Sequence, residues 1–106
     1  MGKRENLHSI FIEILGTAEE DESRVYFQPP TSVKLKYPAI VYSRSKIDVK
    51  TANNLPYMES RAYEVTVIDY DPDSEFVSKV AKLPFCRFDR HFTSDNLNHD
   101  VFTIYF

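Results

Sequence analysis

From Arg61 to Tyr70 the chain alternates with a period of two: Tyr63, Val65 and Val67 on one side, Glu64, Thr66 and Ile68 on the other, with Arg61 and Asp69 bracketing the first row. Successive side chains of a strand point to opposite faces, so this stretch reads as a central strand of a sheet. Everything else in the chain has to be arranged around that sheet.

Two helical patterns supply a cover for it. Leu7, Ile10, Phe11, Ile14 and Leu15 recur at i, i+3, i+4, i+7 and i+8, a one-faced amphipathic helix over Asn6–Leu15 with Gly16 as its stop. His8 falls on its polar side, where a solvated histidine is expected. At about three turns this helix depends on packing rather than on intrinsic propensity. A second helix follows the central strand, with Asp71 as cap, Pro72 at the first helical position, and Phe76, Val77, Val80, Ala81 and Leu83 as its buried stripe up to Pro84.

The remaining strands are shorter or carry breakers. Arg24–Gln28 is aromatic and β-branched and is closed by Pro29 and Pro30, which marks a short edge strand. Lys34–Ser43 reads as a longer strand with Leu35, Tyr37, Ala39 and Val41 on one face, and Pro38 places it at an edge near that residue. A final hairpin runs over Phe85–Thr93 and Val101–Phe106, joined through 94–100. Setting Cys86, Phe88 and Phe92 on the same face as Phe102, Ile104 and Phe106 pairs residue 92 with 102 and 88 with 106, and turns Arg87, Asp89 and His91 outward. No regular βαβ alternation is present. The expected class is α+β: a mostly antiparallel sheet of about four to five strands with two helices packed on one face.

Residues 44–60 have weak periodicity and read as a long loop or a loose hairpin arm, longer than an idle connection needs. The segment is mildly basic through Arg44, Lys46 and Lys50, against Asp48 and Glu59, and its tip is polar. We take Arg44, Lys46, Lys50, Asn53, Asn54 and Tyr57 as candidate partner-contacting residues. Residues 17–23 are acidic through Glu19, Glu20, Asp21 and Glu22, which reads as a solvated linker, or as a docking site for a basic partner.

Composition narrows the function classes. The 106 residues suffice for one domain spanning 1–106. Only Gly2 and Gly16 are glycines, so a phosphate-cradling loop, which needs glycine for close backbone approach, is excluded. A formal net charge of −3 argues against general nucleic-acid binding, although an accessory factor using Lys46, Lys50 and the aromatics is one alternative. Cys86 is the lone cysteine, which rules out an intrachain disulfide and fits a reducing compartment. No run approaches a membrane span and no signal peptide is evident, so a cytoplasmic protein is expected.

The densest polar cluster is Asp89, His91, Asp95, His99 and Asp100. Its chemical alternative is a small metal-dependent hydrolase using Asp89, His91 and His99; its plain reading is an outward strand face and an Asp/Asn-rich turn. The spacing lacks the tightness of a metal motif, and Cys86 lies on the inward row of its strand while His91 points to the opposite side. We therefore expect no catalytic residue, no metal and no cofactor.

Four segments in series carry a resemblance: Val25–Pro30, Lys36–Tyr42, Tyr63–Asp69 through Asp71–Ser74, and Phe88–Thr93 through Asp95–Phe102. They resemble a family of small proteins of tailed bacteriophages and prophages of Gram-positive bacteria, encoded among head-completion and tail genes. The resemblance covers nearly everything after Arg24 and implies a tail terminator, or tail-completion protein. Such proteins are virion structural components with a small α+β fold that form a homo-oligomeric ring, usually a hexamer. That ring caps the tail tube and presents the surface for head–tail joining. The implied partners are further copies of the chain, the tail tube protein, the head–tail connector or neck protein, and the sheath where the tail contracts. Membrane and sequence-specific nucleic acid are not among them. The implied location is the virion tail or a phage-tail-like particle assembled in the host cytoplasm. Another neck or baseplate adaptor of the particle is the alternative within the same class.

Overall fold

In a computed structural model of the protein, residues 4–15, 24–32, 34–52 and 55–106 are described, with 46–52 and 55–60 described as backbone. The elements run α1 (Arg4–Leu15), β1 (Val25–Phe27), β2 (Ala39–Ala52), β3 (Leu55–Asp69), α2 (Glu75–Ala81), β4 (Cys86–Ser94) and β5 (Leu97–Tyr105). The five strands form one sheet in the order β1-β2-β3-β5-β4, with β1 parallel to β2 and the other pairs antiparallel. This is an α+β fold with a mostly antiparallel open sheet.

The alternation that marks β3 decides where the core lies. Tyr63, Val65 and Val67 are buried with Ile40 and Tyr42 of β2, Phe102 and Ile104 of β5, Leu7, Phe11 and Leu15 of α1, and Val80 of α2. Both helices therefore cover one face of the sheet. Each such aliphatic or aromatic side chain contributes about 1.5–3 kcal/mol on burial, and this packing, rather than local propensity, holds the seven-residue α2 in place.

Four expectations need correction. The strand read over Lys34–Ser43 begins only at Ala39, and its inward residues are Ile40 and Tyr42, which pair with Val67 and Val65. Ala39 and Val41 belong to the opposite face. Pro38, which lacks an N–H to donate, stands just ahead of the strand. The sheet ladder is spared, and β2 lies inside the sheet between β1 and β3 rather than at an edge.

The cap of α2 is Ser74, whose side chain accepts from the Phe76 N–H at 3.2 Å. Asp69 and Asp71 act one step earlier, each accepting a main-chain N–H two residues on, from Asp71 and Asp73. These local bonds form the turn that leads into the helix. The helix ends at Ala81 with Lys82 as its C-cap, before Pro84 is reached.

The last hairpin closes through the two residues Asp95 and Asn96, with φ of 53° and 65°. Two successive left-handed residues give the turn whose twist matches paired strands, and Asp and Asn tolerate that region better than most residues. Leu97–Asp100 are thus strand, and Phe88 pairs with Phe102 while Phe92 pairs with His99.

Between Phe88 and Arg90 the register slips, leaving Asp89 as a bulge. A single extra residue reverses the faces that follow it. Cys86 and Phe88 keep the helix-covered side, whereas Arg90 and Phe92 turn to the other, where Phe92 stacks on His99 at 4.6 Å.

Candidate functional site

The hairpin β2–β3 outruns the rest of the sheet. β1 pairs with β2 only over Ile40–Tyr42, and β5 pairs with β3 only over Ala62–Asp69. Beyond these limits β2 and β3 continue to pair with each other as far as Ala52 and Leu55. The expected loop or arm at 44–60 is therefore a two-stranded arm that projects about 23 Å beyond the Lys46–Ala62 pair, at about 3.3 Å per residue, in a molecule measuring 51 × 29 × 28 Å.

The base of the arm is fixed by specific bonds. Ser45 is the extra residue between Arg44, opposite Tyr63, and Lys46, opposite Ala62. Its hydroxyl donates to the Ala62 carbonyl at 3.1 Å, replacing part of what the bulge removes from the ladder. The Arg44 N–H donates to Gln28 Oε1 at 3.3 Å, and the Phe106 N–H donates to the Arg61 carbonyl at 3.0 Å. Bulges next to a projecting strand re-aim it.

Of the residues read as partner-contacting, Arg44 and Lys46 lie at this base. Lys50 pairs with Met58 farther out, and Tyr57 occupies the second register slip, between Lys50–Met58 and Thr51–Pro56. Asn53 and Asn54 lie outside the described residues, as does the acidic segment 17–23.

The polar cluster of the last hairpin does not converge. His91 stands opposite Asp100 on one side of the sheet, while His99 stands opposite Phe92 and Ile68 on the other. Asp89 is the bulge residue and ion-pairs with its neighbour Arg90 at 2.7 Å. Among the described residues no three of His, Cys, Asp and Glu come together in a group that could hold a metal. Burial raises the Asp100 carboxyl above its ordinary pKa, while His91 and His99 pull it the other way. Burial likewise raises the Cys86 thiol, which disfavours the reactive thiolate.

Sequence reasoning missed the apolar surface beside the arm's base. A cleft of about 330 Å³ lies between Leu7 and Ile10 of α1, the connection Leu83–Phe85, and the end of β5 at Ile104–Phe106. Phe85 has φ of 59° and is 80 % exposed. A bulky residue in the left-handed region costs about 1–2 kcal/mol, and here that cost holds an aromatic ring at the mouth of an apolar cleft. Phe88, on the neighbouring edge strand β4, is 54 % exposed. The available signal was the apolar run Leu83-Pro84-Phe85-Cys86, too long to be merely the stop of α2.

No protein-family model matches the chain, and no curated protein is significantly similar to it.

Proposed function

We propose that the chain is a structural assembly protein of a tailed phage or phage-derived particle, capping the tail tube and joining it to the head or neck as a tail terminator. The observation that carries this reading is the β2–β3 arm. An isolated two-stranded hairpin is marginally stable in water, so an arm that runs beyond its own sheet gains its full order against another surface. Long projecting segments on a rigid domain are recognition devices. The arm's basic residues Arg44, Lys46 and Lys50 suit contact with an acidic neighbour, and the series of four resembling segments points to the tail as the setting.

The function follows from geometry rather than from a reacting group. A small subunit that offers an arm on one side and an open edge on another can repeat head to tail and close as a ring. A ring of this kind presents one face to the tube end and the other to the connector. The test is to assemble particles with a chain shortened between Lys46 and Tyr57 that still folds. Loss of tail completion, seen as tails of irregular length or unjoined to heads in electron micrographs, is expected; normal joined tails would overturn the reading.

A further inference from the structure

We propose that the arm of one copy adds to the open β4 edge of a second copy, with the Phe85 cleft receiving the flank of the arm. This inference rests on the assembly reading above and names the surface that the arm meets.

The receiving edge is open, since β4 closes the sheet and no strand pairs with its outer side among the described residues. The Tyr105 N–H donates to the Phe85 carbonyl at 3.1 Å. Bonded and unbonded pairs alternate along an antiparallel ladder, so Cys86 and Phe88, one step to either side of the next bonded pair, direct their main-chain groups to the open edge. An exposed edge carrying Phe85 and Phe88 is a template for an added strand. The Asp89 bulge limits that template to its first part, the part that adjoins the cleft.

Position and size favour the arm of a second copy. The arm leaves the sheet at the end where Arg61 meets Phe106, the same end that holds Phe85 and the cleft. The side of β2 left uncovered beyond β1 and the outer edge of β4 lie on opposite margins of the sheet. A contact between them is heterologous and repeats head to tail. A standard interface buries roughly 30–40 Å² per residue. On that scale the Phe85–Phe88 edge with the lining of the cleft, about ten residues, and an equal stretch of the arm bury about 600–800 Å² in total. Pairing two β4 strands with each other meets the same Asp89 limit, engages only Phe85–Phe88 on each side, and buries about 240–320 Å² in total, less than half of what the arm and cleft bury together.

The test uses Phe88→Lys and the arm-shortened chain, alone and mixed one to one, with mass read by sedimentation. The wild-type chain is expected to form an oligomer, and each variant alone to be monomeric. The mixture is expected to give a one-to-one dimer, because the intact arm of Phe88→Lys meets the intact edge of the shortened chain. Phe85→Ser serves as a second edge variant should Phe88→Lys lose its circular dichroism spectrum. A wild-type chain that stays monomeric to about 1 mM, edge variants that assemble like wild type, or a mixture that forms no dimer overturns the inference. An oligomer surviving both edge variants leaves the tail reading standing; normal tails built from the shortened chain overturn that reading itself.

Discussion

His8 Nδ1 lies 2.7 Å from the hydroxyl of Tyr42, a side chain only 1 % exposed, and Arg4 donates to the same oxygen at 3.3 Å. The Tyr42 hydroxyl thus joins the Arg4 guanidinium and the His8 imidazole through one oxygen. Arg4 also stacks over Phe27 at 4.4 Å. This cluster ties α1 to the first two strands. Burial, and then the Arg4 charge, lower the His8 pKa from the ordinary value of 6.5.

The sign of the pH dependence follows. A base whose folded pKa is depressed contributes stability that is present above its unfolded value and lost as pH falls through the folded one. Unfolding temperatures are expected to decline below about pH 6.5, and His8→Gln to flatten that decline. Asp100 acts in the opposite sense: its raised pKa gives stability present below the unfolded carboxylate range and lost as pH rises through the folded value. A His8→Gln profile parallel to wild type between pH 5 and 7 contradicts the assignment.

Removing the shared hydroxyl separates packing from hydrogen bonding. Tyr42→Phe keeps the ring against Phe11, Phe27 and Tyr63 but strands His8 and Arg4, and should cost about 1–2 kcal/mol. For a chain of this size that is roughly a 4–16 °C fall in melting temperature. An unchanged melting temperature counts against the cluster.

Phe102 is 1 % exposed and packs edge-on against Phe88 at 5.5 Å. Phe102→Ala should cost about 3–5 kcal/mol by urea unfolding, a large share of the about 5–15 kcal/mol available to a domain. Phe88→Ala, at the exposed end of the same pair, should cost under about 1 kcal/mol. Equal losses would contradict the placement of β4 as an edge.

The closing turn gives a reciprocal pair. Asn96→Gly should be neutral or stabilising by up to about 1 kcal/mol, because glycine accepts the left-handed backbone freely. Asn96→Val should cost about 1–2 kcal/mol. Both are read by chemical denaturation, and a stabilising valine would exclude the two-residue turn.

What the chain's periodicity disclosed, and what it hid, has a physical basis. The alternation of Tyr63, Val65 and Val67 and the stripe Leu7, Phe11 and Leu15 are repeated signals, and repeated signals located the core and the α+β class. The Asp89 bulge is a single inserted residue with no periodic mark, so the register of the last hairpin and the face of Phe92 were not legible. Ala39 and Val41 alternate with Ile40 and Tyr42, and all four are apolar, so the inward face of β2 carried no polar mark; Pro38 stands just outside the strand, so it did not place β2 at an edge. The arm was legible as a long basic segment and as one of two alternatives, because its two register slips blur the alternation. The Phe85 cleft depends on three elements meeting, which no local pattern announces.

The sedimentation mass of the wild-type chain tests the central claim most directly. The account predicts a discrete closed assembly, at a ring stoichiometry such as six times the 12.4 kDa of one chain, that dissociates when the arm between Lys46 and Tyr57 is shortened. A monomer at every concentration, or an assembly indifferent to the loss of the arm, would contradict it.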